Sequence, residues 1–484
     1  MLPDFRFVYH SHAGGKMSID LDPIKRAPRP TGFRPVASIK GAPGTGLVAT
    51  VMAVLLVHAQ PALADGGDAA VPTSGTTVPH TQSESNVTLN NTNDGSNADN
   101  DSGQVNDSYQ PKGIQLGQFL FLPKVETEET YNSNVFATQV NVKDDLLTTI
   151  HPEINLRSQF TEHELDFVVK GDQQFYQTYS QDDQTNGEAD LNGRYDFSKN
   201  TQGSFLSQAY SSHEDRSSPD PSQGVSPTPV QGLINRANIK SQFDRFSFVG
   251  EVEADRLTYD DVKTSTGSLI PNTDRNRWEL SVRERGAYEM FPGYAAVMQV
   301  TENTHIFDKT EDRYGYDRGS TGYRAETGIG VDVSKLIRGD FLLGYFQQSY
   351  NDSRLTDAGG LSMRAVFNWT PTKLTIIVPT IDRTVSDTTT AQASAYDRSS
   401  LTVTVRHELQ RNIILSGFAG LYYDQYTGVQ NQDDITYDTR ARVTYAFNSN
   451  LYVGAEVGFQ SRHSEADLQS FDQLTSMVKL GVQY

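Results

Sequence analysis

The sequence predicts an all-β protein: an antiparallel transmembrane β-barrel of about 18 strands, with a disordered N-terminal extension. Three observations predict it. From Phe119 to the last residue, strand-like segments alternate with a period of two. The connections between them fall into two classes, short and long, in strict alternation. Aromatic residues collect where strands meet either class.

The N-terminal elements come first. Lys25, Arg26, Arg29, Arg34 and Lys40 precede the apolar run GLVATVMAVLLVHA (46–59), and PALA (61–64) puts Ala62 and Ala64 in a small-x-small arrangement. Residues 1–64 therefore read as a secretory signal peptide, with Met17 an alternative start. GAPGTG (41–46) falls inside this region and receives no phosphate role. Residues 65–112 are Gly, Asn, Asp, Ser and Thr with almost no large apolar side chain. Such a segment buries too little to offset its ordering entropy, so the expectation is a disordered periplasmic extension. The barrel is expected over 113–484.

Composition narrows the class. The chain of 484 residues carries a net charge of −19, has 23 Tyr and 23 Phe, and contains no cysteine. Disulfides and most zinc sites drop out. The extension carries a single Lys or Arg, Lys112, which argues against a nucleic-acid partner. No run of 18 apolar residues follows residue 65, so no transmembrane helix is expected there.

The strand pattern is explicit. ADLNGRYDF (189–197) puts Ala189, Leu191, Gly193, Tyr195 and Phe197 on one face and polar residues on the other. LSMRAVFNW (361–369) opposes Leu361, Met363, Ala365, Phe367 and Trp369 to Ser362, Arg364, Val366 and Asn368. Period-two alternation of this kind marks a strand with one apolar and one polar face. The stretches Gln202–His213 and Leu374–Val385 alternate poorly.

The connections decide between a barrel and a soluble sheet. FTEHE (160–164), FSKNTQ (197–202), FDRF (243–246), MFPGY (290–294), SKLIRGD (334–340), WTPTK (369–373), LQRN (409–412) and FNSN (447–450) are short. Between them run long polar segments such as SSHEDRSSPDPSQGVSPTPVQG (211–232) and DDVKTSTGSLIPNTDRN (260–276). Eight short turns and nine long loops imply 18 strands with both ends of the barrel chain on the short-turn side. Transmembrane barrels have this asymmetry. Two aromatic girdles are expected: Phe160, Phe197, Phe243, Tyr288, Trp369, Phe447 and Tyr484 at the short-turn end, and Tyr131, Tyr179, Tyr259, Phe307, Tyr350, Tyr426 and Tyr437 at the long-loop end.

One constellation of charges recurs. Arg157, Arg194, Lys240, Arg285, Arg364, Arg442 and Lys479 each precede a short-turn girdle aromatic by an odd number of residues, so base and aromatic take opposite faces. With Arg406 and Arg440 they form a candidate basic ring inside the barrel near its periplasmic mouth, able to attract anions. The bland reading is that Asp166, Asp190, Glu251, Glu302, Glu408 and Glu456 pair with them across strands. Acidic loop pairs such as Asp260/Asp261 and Asp433/Asp434 read as solvated loops.

The last strand, TSMVKLGVQY (475–484), alternates Val478, Leu480, Val482 and Tyr484 against Lys479, Gly481 and Gln483. It resembles the C-terminal signal by which the assembly machinery recognises outer-membrane barrels. The opening strand, GQFLFLPKVETEETYNSNVF (117–136), with Phe119, Phe121, Pro123, Tyr131, Ser133, Asn134 and Val135, resembles the start of the β-barrel porin-2 type of outer-membrane protein, as does DLLTTIHPEINLRSQF (145–160). That resemblance implies a Gram-negative outer membrane and an association with exopolysaccharide gene clusters. It transfers no site residues.

Catalytic motifs are absent: there is no hydrolase elbow, P-loop, HExxH or EF-hand pattern, and no two His lie at helix-face spacing. No enzyme activity, cofactor or metal is expected. The expected function is passage of a polar solute or polymer, most specifically export of a bacterial exopolysaccharide. A general diffusion porin, or a surface-binding barrel with a blocked lumen, is the alternative. Expected partners are outer-membrane lipid and lipopolysaccharide, the barrel-assembly machinery, the polysaccharide and periplasmic export components.

Overall fold

A computed structural model describes residues 109–219, 224–333, 336–428, 432–466 and 468–484. The expected signal peptide and most of the expected extension lie outside the described residues.

Eighteen long strands follow one another: β1 (Phe119–Asn132), β2 (Asp145–Ser158), β3 (Glu164–Tyr176), β4 (Gln184–Ser198), β5 (Thr201–His213), β6 (Pro229–Phe243), β7 (Phe246–Tyr259), β8 (Arg277–Phe291), β9 (Tyr294–Phe307), β10 (Ser320–Val333), β11 (Ile337–Tyr350), β12 (Ala358–Thr372), β13 (Thr375–Asp387), β14 (Ala395–Gln410), β15 (Ile413–Thr427), β16 (Asp433–Ala446), β17 (Leu451–Ser464) and β18 (Phe471–Gln483). Each pairs antiparallel with the next, and β18 returns to β1 over Lys124↔Gln483 to Asn132↔Thr475, so the sheet closes. Closure leaves no open sheet edge for lipid to meet. Three short strands lie outside the ring: Ile114–Leu116, paired back onto β1, and a small hairpin of Val262–Lys263 with Leu269–Ile270. Gln202–His213 and Leu374–Val385, which alternate poorly, nonetheless form β5 and most of β13.

The strands have 13 to 16 residues, more than the 9–11 that a tilted strand needs to cross the hydrocarbon. Their ends therefore project beyond the apolar band, mainly toward the long loops. The turns at the other end are tight. In one of them Gly293 has φ 83°, and a Cβ there would stand 2.7 Å from the Asp332 carbonyl oxygen, so this turn needs glycine.

Alternation sorts the side chains as the sequence predicts. On β12, Leu361 is 57 % exposed on the outside while Ser362 is fully buried inside. The short-turn girdle is present: Phe160, Phe197, Phe243, Tyr288, Trp369, Phe447 and Tyr484 are all exposed. The long-loop girdle is corrected. Tyr131 and Tyr437 face outward, but Tyr259, Tyr350 and Tyr426 occupy lumen-facing register positions and are largely enclosed. Phe307 lies under Arg277, and Tyr179 sits in a loop against Phe136. The outward girdle at that end also uses Phe175, Trp278, Tyr323, Tyr345 and Tyr423. The reason is parity: a one-residue difference in where a strand ends exchanges the faces.

One pairing is incomplete. The β12–β13 ladder stops at Arg364↔Asp382, while β13 remains paired with β14 up to Asp387↔Ala395. Beyond Asp382 the end of β13 leans inward, and Val385 packs with Phe346, Ala358 and Ala395.

Candidate functional site: the barrel lumen and its outer mouth

The lumen wall is built by the polar face of every strand. All nine bases of the expected ring stand at lumen-facing positions, with carboxylates among them. Arg157 faces Asp166 at 3.6 Å, Arg194 faces Glu164 at 3.0 Å and Asp196 at 3.2 Å, and Arg285 meets Asp340 at 2.8 Å. Arg364 meets Asp382 at 3.2 Å, Arg406 meets Glu408 at 3.2 Å, Arg440 meets Asp438 at 2.5 Å, Arg442 meets Glu456 at 2.6 Å and Lys479 meets Glu126 at 2.8 Å. Lys240 is half-buried on the same face. Asp166 and Glu456 thus pair across strands as the sequence suggests, whereas Glu408 meets Arg406 along the same strand. Glu251 instead holds Arg283 and Arg236, bases the sequence reading did not single out. Glu302 does not join the lining: it faces outward, opposite Val282 and Tyr323.

The bases divide by access. The Arg157 side chain is 41 % exposed and Arg194, Arg406 and Arg440 are about as open or somewhat less, whereas Arg285, Arg364, Arg442 and Lys479 are mostly enclosed. The first group can meet a solute; the second is committed to the wall. Near the closing seam, Glu126 accepts from Lys479 Nζ and Tyr452 Oη, and His151 lies between Glu128 and Asp172.

The outer mouth is crossed by a loop. The described parts of the β5–β6 connection (214–219 and 224–228) are tied at three points. Arg216 Nε and Nη2 donate to the two oxygens of Asp182 in the β3–β4 loop at 3.0 and 2.9 Å. Glu214 pairs with Arg275 of the β7–β8 loop at 2.5 Å. On the far side, Arg462 of β17 donates to the carbonyls of Ser217 and Ser218. β17 stands six strands from β5 by way of the closing seam, a third of the ring, so these bonds reach across the mouth. Burial pushes the Asp215 carboxyl up, opposed by the Ser217 N–H and the charges of Arg462 and Arg440. Burial likewise raises Asp182, with Arg216 acting against it.

Other loops interlock beside it. Arg313 holds both oxygens of Asp274 at 2.9 and 3.0 Å and donates its own N–H at 2.9 Å. Burial alone would raise Asp274, but these bonds outweigh it and hold the carboxyl below its ordinary value. Arg318 donates to the Ala393 carbonyl at 3.0 Å, joining the β9–β10 and β13–β14 loops. No sequence signal foretold these bonds, because each joins residues from different loops.

A closed ring of 18 strands, apolar outside and lined with charge inside, matches one family model over residues 107–484. The chain belongs to the putative beta-barrel porin 2 family. This porin-2 chain is a porin-like outer-membrane barrel. Its fold is similar to that of several solved barrels. Pseudomonas aeruginosa OccK3 (OpdO) is 13 % identical, with 75 % of this chain and 95 % of that one covered at a TM-score of 0.38. P. aeruginosa OccK2 (OpdF), solved in complex with glucuronate, is 10 % identical over 77 % and 100 % at 0.41. The ferric citrate transporter FecA, in its unliganded form, is 10 % identical over 74 % and 61 % at 0.41. These likenesses concern the barrel fold alone. No curated protein matches the porin-2 chain in sequence.

Proposed function

We propose that the barrel is a bacterial outer-membrane channel for polar solutes bearing charged groups, and that its narrower role is export of an exopolysaccharide. The observation that carries the channel reading is the lining. Charged side chains of both signs line the inner face, while the outer face between the girdles is predominantly apolar. Arg157, Arg194, Arg406 and Arg440 are the positions from which a solute's anionic group would displace a carboxylate partner. The polymer reading rests on the opening-strand resemblance and on this ability to receive acidic groups. The wall's own carboxylates offset the bases, so the anion preference is modest and weakens as salt shortens the Debye length.

A second reading, a surface-binding barrel with a blocked lumen, is favoured by the loop tied to Arg462. Planar-bilayer conductance separates the two. The channel reading expects discrete conductance steps, larger in Arg462→Ala, and a reversal potential under a salt gradient that favours anions less in Arg157→Ser/Arg194→Ser. Silence from both wild type and Arg462→Ala would establish the blocked barrel. Block of the current by an acidic oligosaccharide added on the short-turn side would support polymer export, and indifference to it would leave a general porin.

A further inference from the structure

A compact cluster lies apart from the bases already described. The inward lean of β13 carries Asp387 to the wall of β8 and β9, where Glu279 and His305 are direct cross-strand partners. His305 Nδ1 is 3.4 Å from Asp387 Oδ2, and His305 Nε2 is 4.0 Å from Glu279 Oε2. One donor atom from each of the three residues falls within a common span of 4.8 Å. The imidazole is only 7 % exposed, and its Nδ1 completes no hydrogen bond despite the closeness of Asp387 Oδ2, which Arg277 Nε approaches at 3.1 Å. Buried polar atoms without a partner are costly, and something normally satisfies them.

We propose that Glu279, His305 and Asp387 form a binding site for a divalent transition-metal ion of the zinc type. One imidazole nitrogen and two carboxylate oxygens are a donor set suited to such an ion, with a fourth position left for water. The nitrogen donor disfavours magnesium and calcium, which take oxygen ligands. Zinc bonds of about 2.1 Å in a tetrahedron separate the donors by about 3.4 Å. An ion takes one ring nitrogen of His305, and with one donor atom per residue the three lie within 4.8 Å of one another. Side-chain rotation therefore has to bring the carboxylate that faces the other nitrogen round to it. Arg277 belongs to the arrangement. Its Nη2 holds Glu279 Oε1 at 2.7 Å, leaving Oε2 on the side of His305, and its Nε stands 3.1 Å from Asp387. With the imidazole neutral, two carboxylates and one guanidinium leave a net negative charge that favours a cation. The bound ion would pin the inward-leaning end of β13 to β8 and β9, five and four strands away. The competing arrangement is a protonated His305 that balances the carboxylates without any metal.

The test uses untagged, folded barrel in detergent, stripped with chelator and dialysed against free Zn2+ or Mg2+. Metal per chain is then measured by elemental analysis. The expected result is one Zn2+ per wild-type chain, no retained Mg2+, and loss of Zn2+ in His305→Gln and in Asp387→Asn. Heat-modifiable migration establishes that the variants are folded. Wild type without stoichiometric Zn2+, or folded variants that retain it, would overturn the site. Metal content is read independently of conductance, so neither outcome bears on the channel reading.

Discussion

At the scale of single residues, Lys479 shows how a lumen charge becomes structural. It is 7 % exposed, and its ammonium meets Glu126 at 2.8 Å and Glu128 at 3.9 Å, on the strand that closes the ring. Removing one member of such a buried group leaves the other charge without its counter-ion, at a cost of about 3 kcal/mol or more. Lys479→Met is therefore expected to lower the denaturant midpoint of the folded barrel. Lys479→Met with Glu126→Gln is expected to recover much of the loss, because the orphan charge is gone. Equal midpoints for wild type and Lys479→Met would show that Lys124, 3.7 Å from Glu126, already suffices. Arg157 is the contrast. Open to the lumen and 3.6 Å from Asp166, it is expected to contribute less to stability and lies within reach of a solute.

At the scale of elements, charged bonds join the outer loops to one another, which makes those links sensitive to acid. Asp274 has its carboxyl depressed in the docked state by Arg313. A depressed carboxylate stabilises docking above its ordinary value of about 4, and the contribution is lost as pH falls through the lower, docked value. The link between the β7–β8 and β9–β10 loops should therefore weaken progressively as pH falls below about 4. The chain has no native cysteine, so spin labels at Ser268→Cys and Tyr314→Cys can report the distance. A distribution that broadens at pH 3 is expected, and Arg313→Ala should show the broad distribution already at pH 7. A pH-independent distance would mean that Asp274 is not what holds the loops together.

At the scale of the whole molecule, closure is the decisive event. β18 pairs with β17 on one side and β1 on the other, and Tyr484 N–H bonds the Pro123 carbonyl at 3.1 Å. Deleting Val482–Tyr484 removes the short-turn end of this seam and exposes backbone groups of β1 and β17 to lipid, where each costs several kcal/mol. The truncated chain is expected to lose heat-modifiable migration. Migration equal to wild type would show that the rest of β18 closes the ring unaided.

The sequence by itself determined the class, the strand number and which face of most strands is polar. Those properties are written locally: a period of two along each strand and two kinds of connection between strands. It determined the short-turn girdle as well, because tight turns pin the strand ends to within a residue. The long-loop girdle was not legible for the opposite reason. Strands there run past the membrane, so parity at the end is set by the register with neighbours, and Tyr259, Tyr350 and Tyr426 turn inward. Among the lumen charges, the alternation of Arg157 or Arg364 with girdle aromatics was readable, and so was Asp166 as a partner for Arg157, but Asp382 beside Arg364 was not. Only the tertiary structure decided that Arg462 reaches Ser217 and that Asp387 reaches His305. Each of these contacts joins residues far apart in the chain, through a loop or a strand end that leaves the regular sheet. Periodicity carries no information about where such a segment goes; closing the ring does.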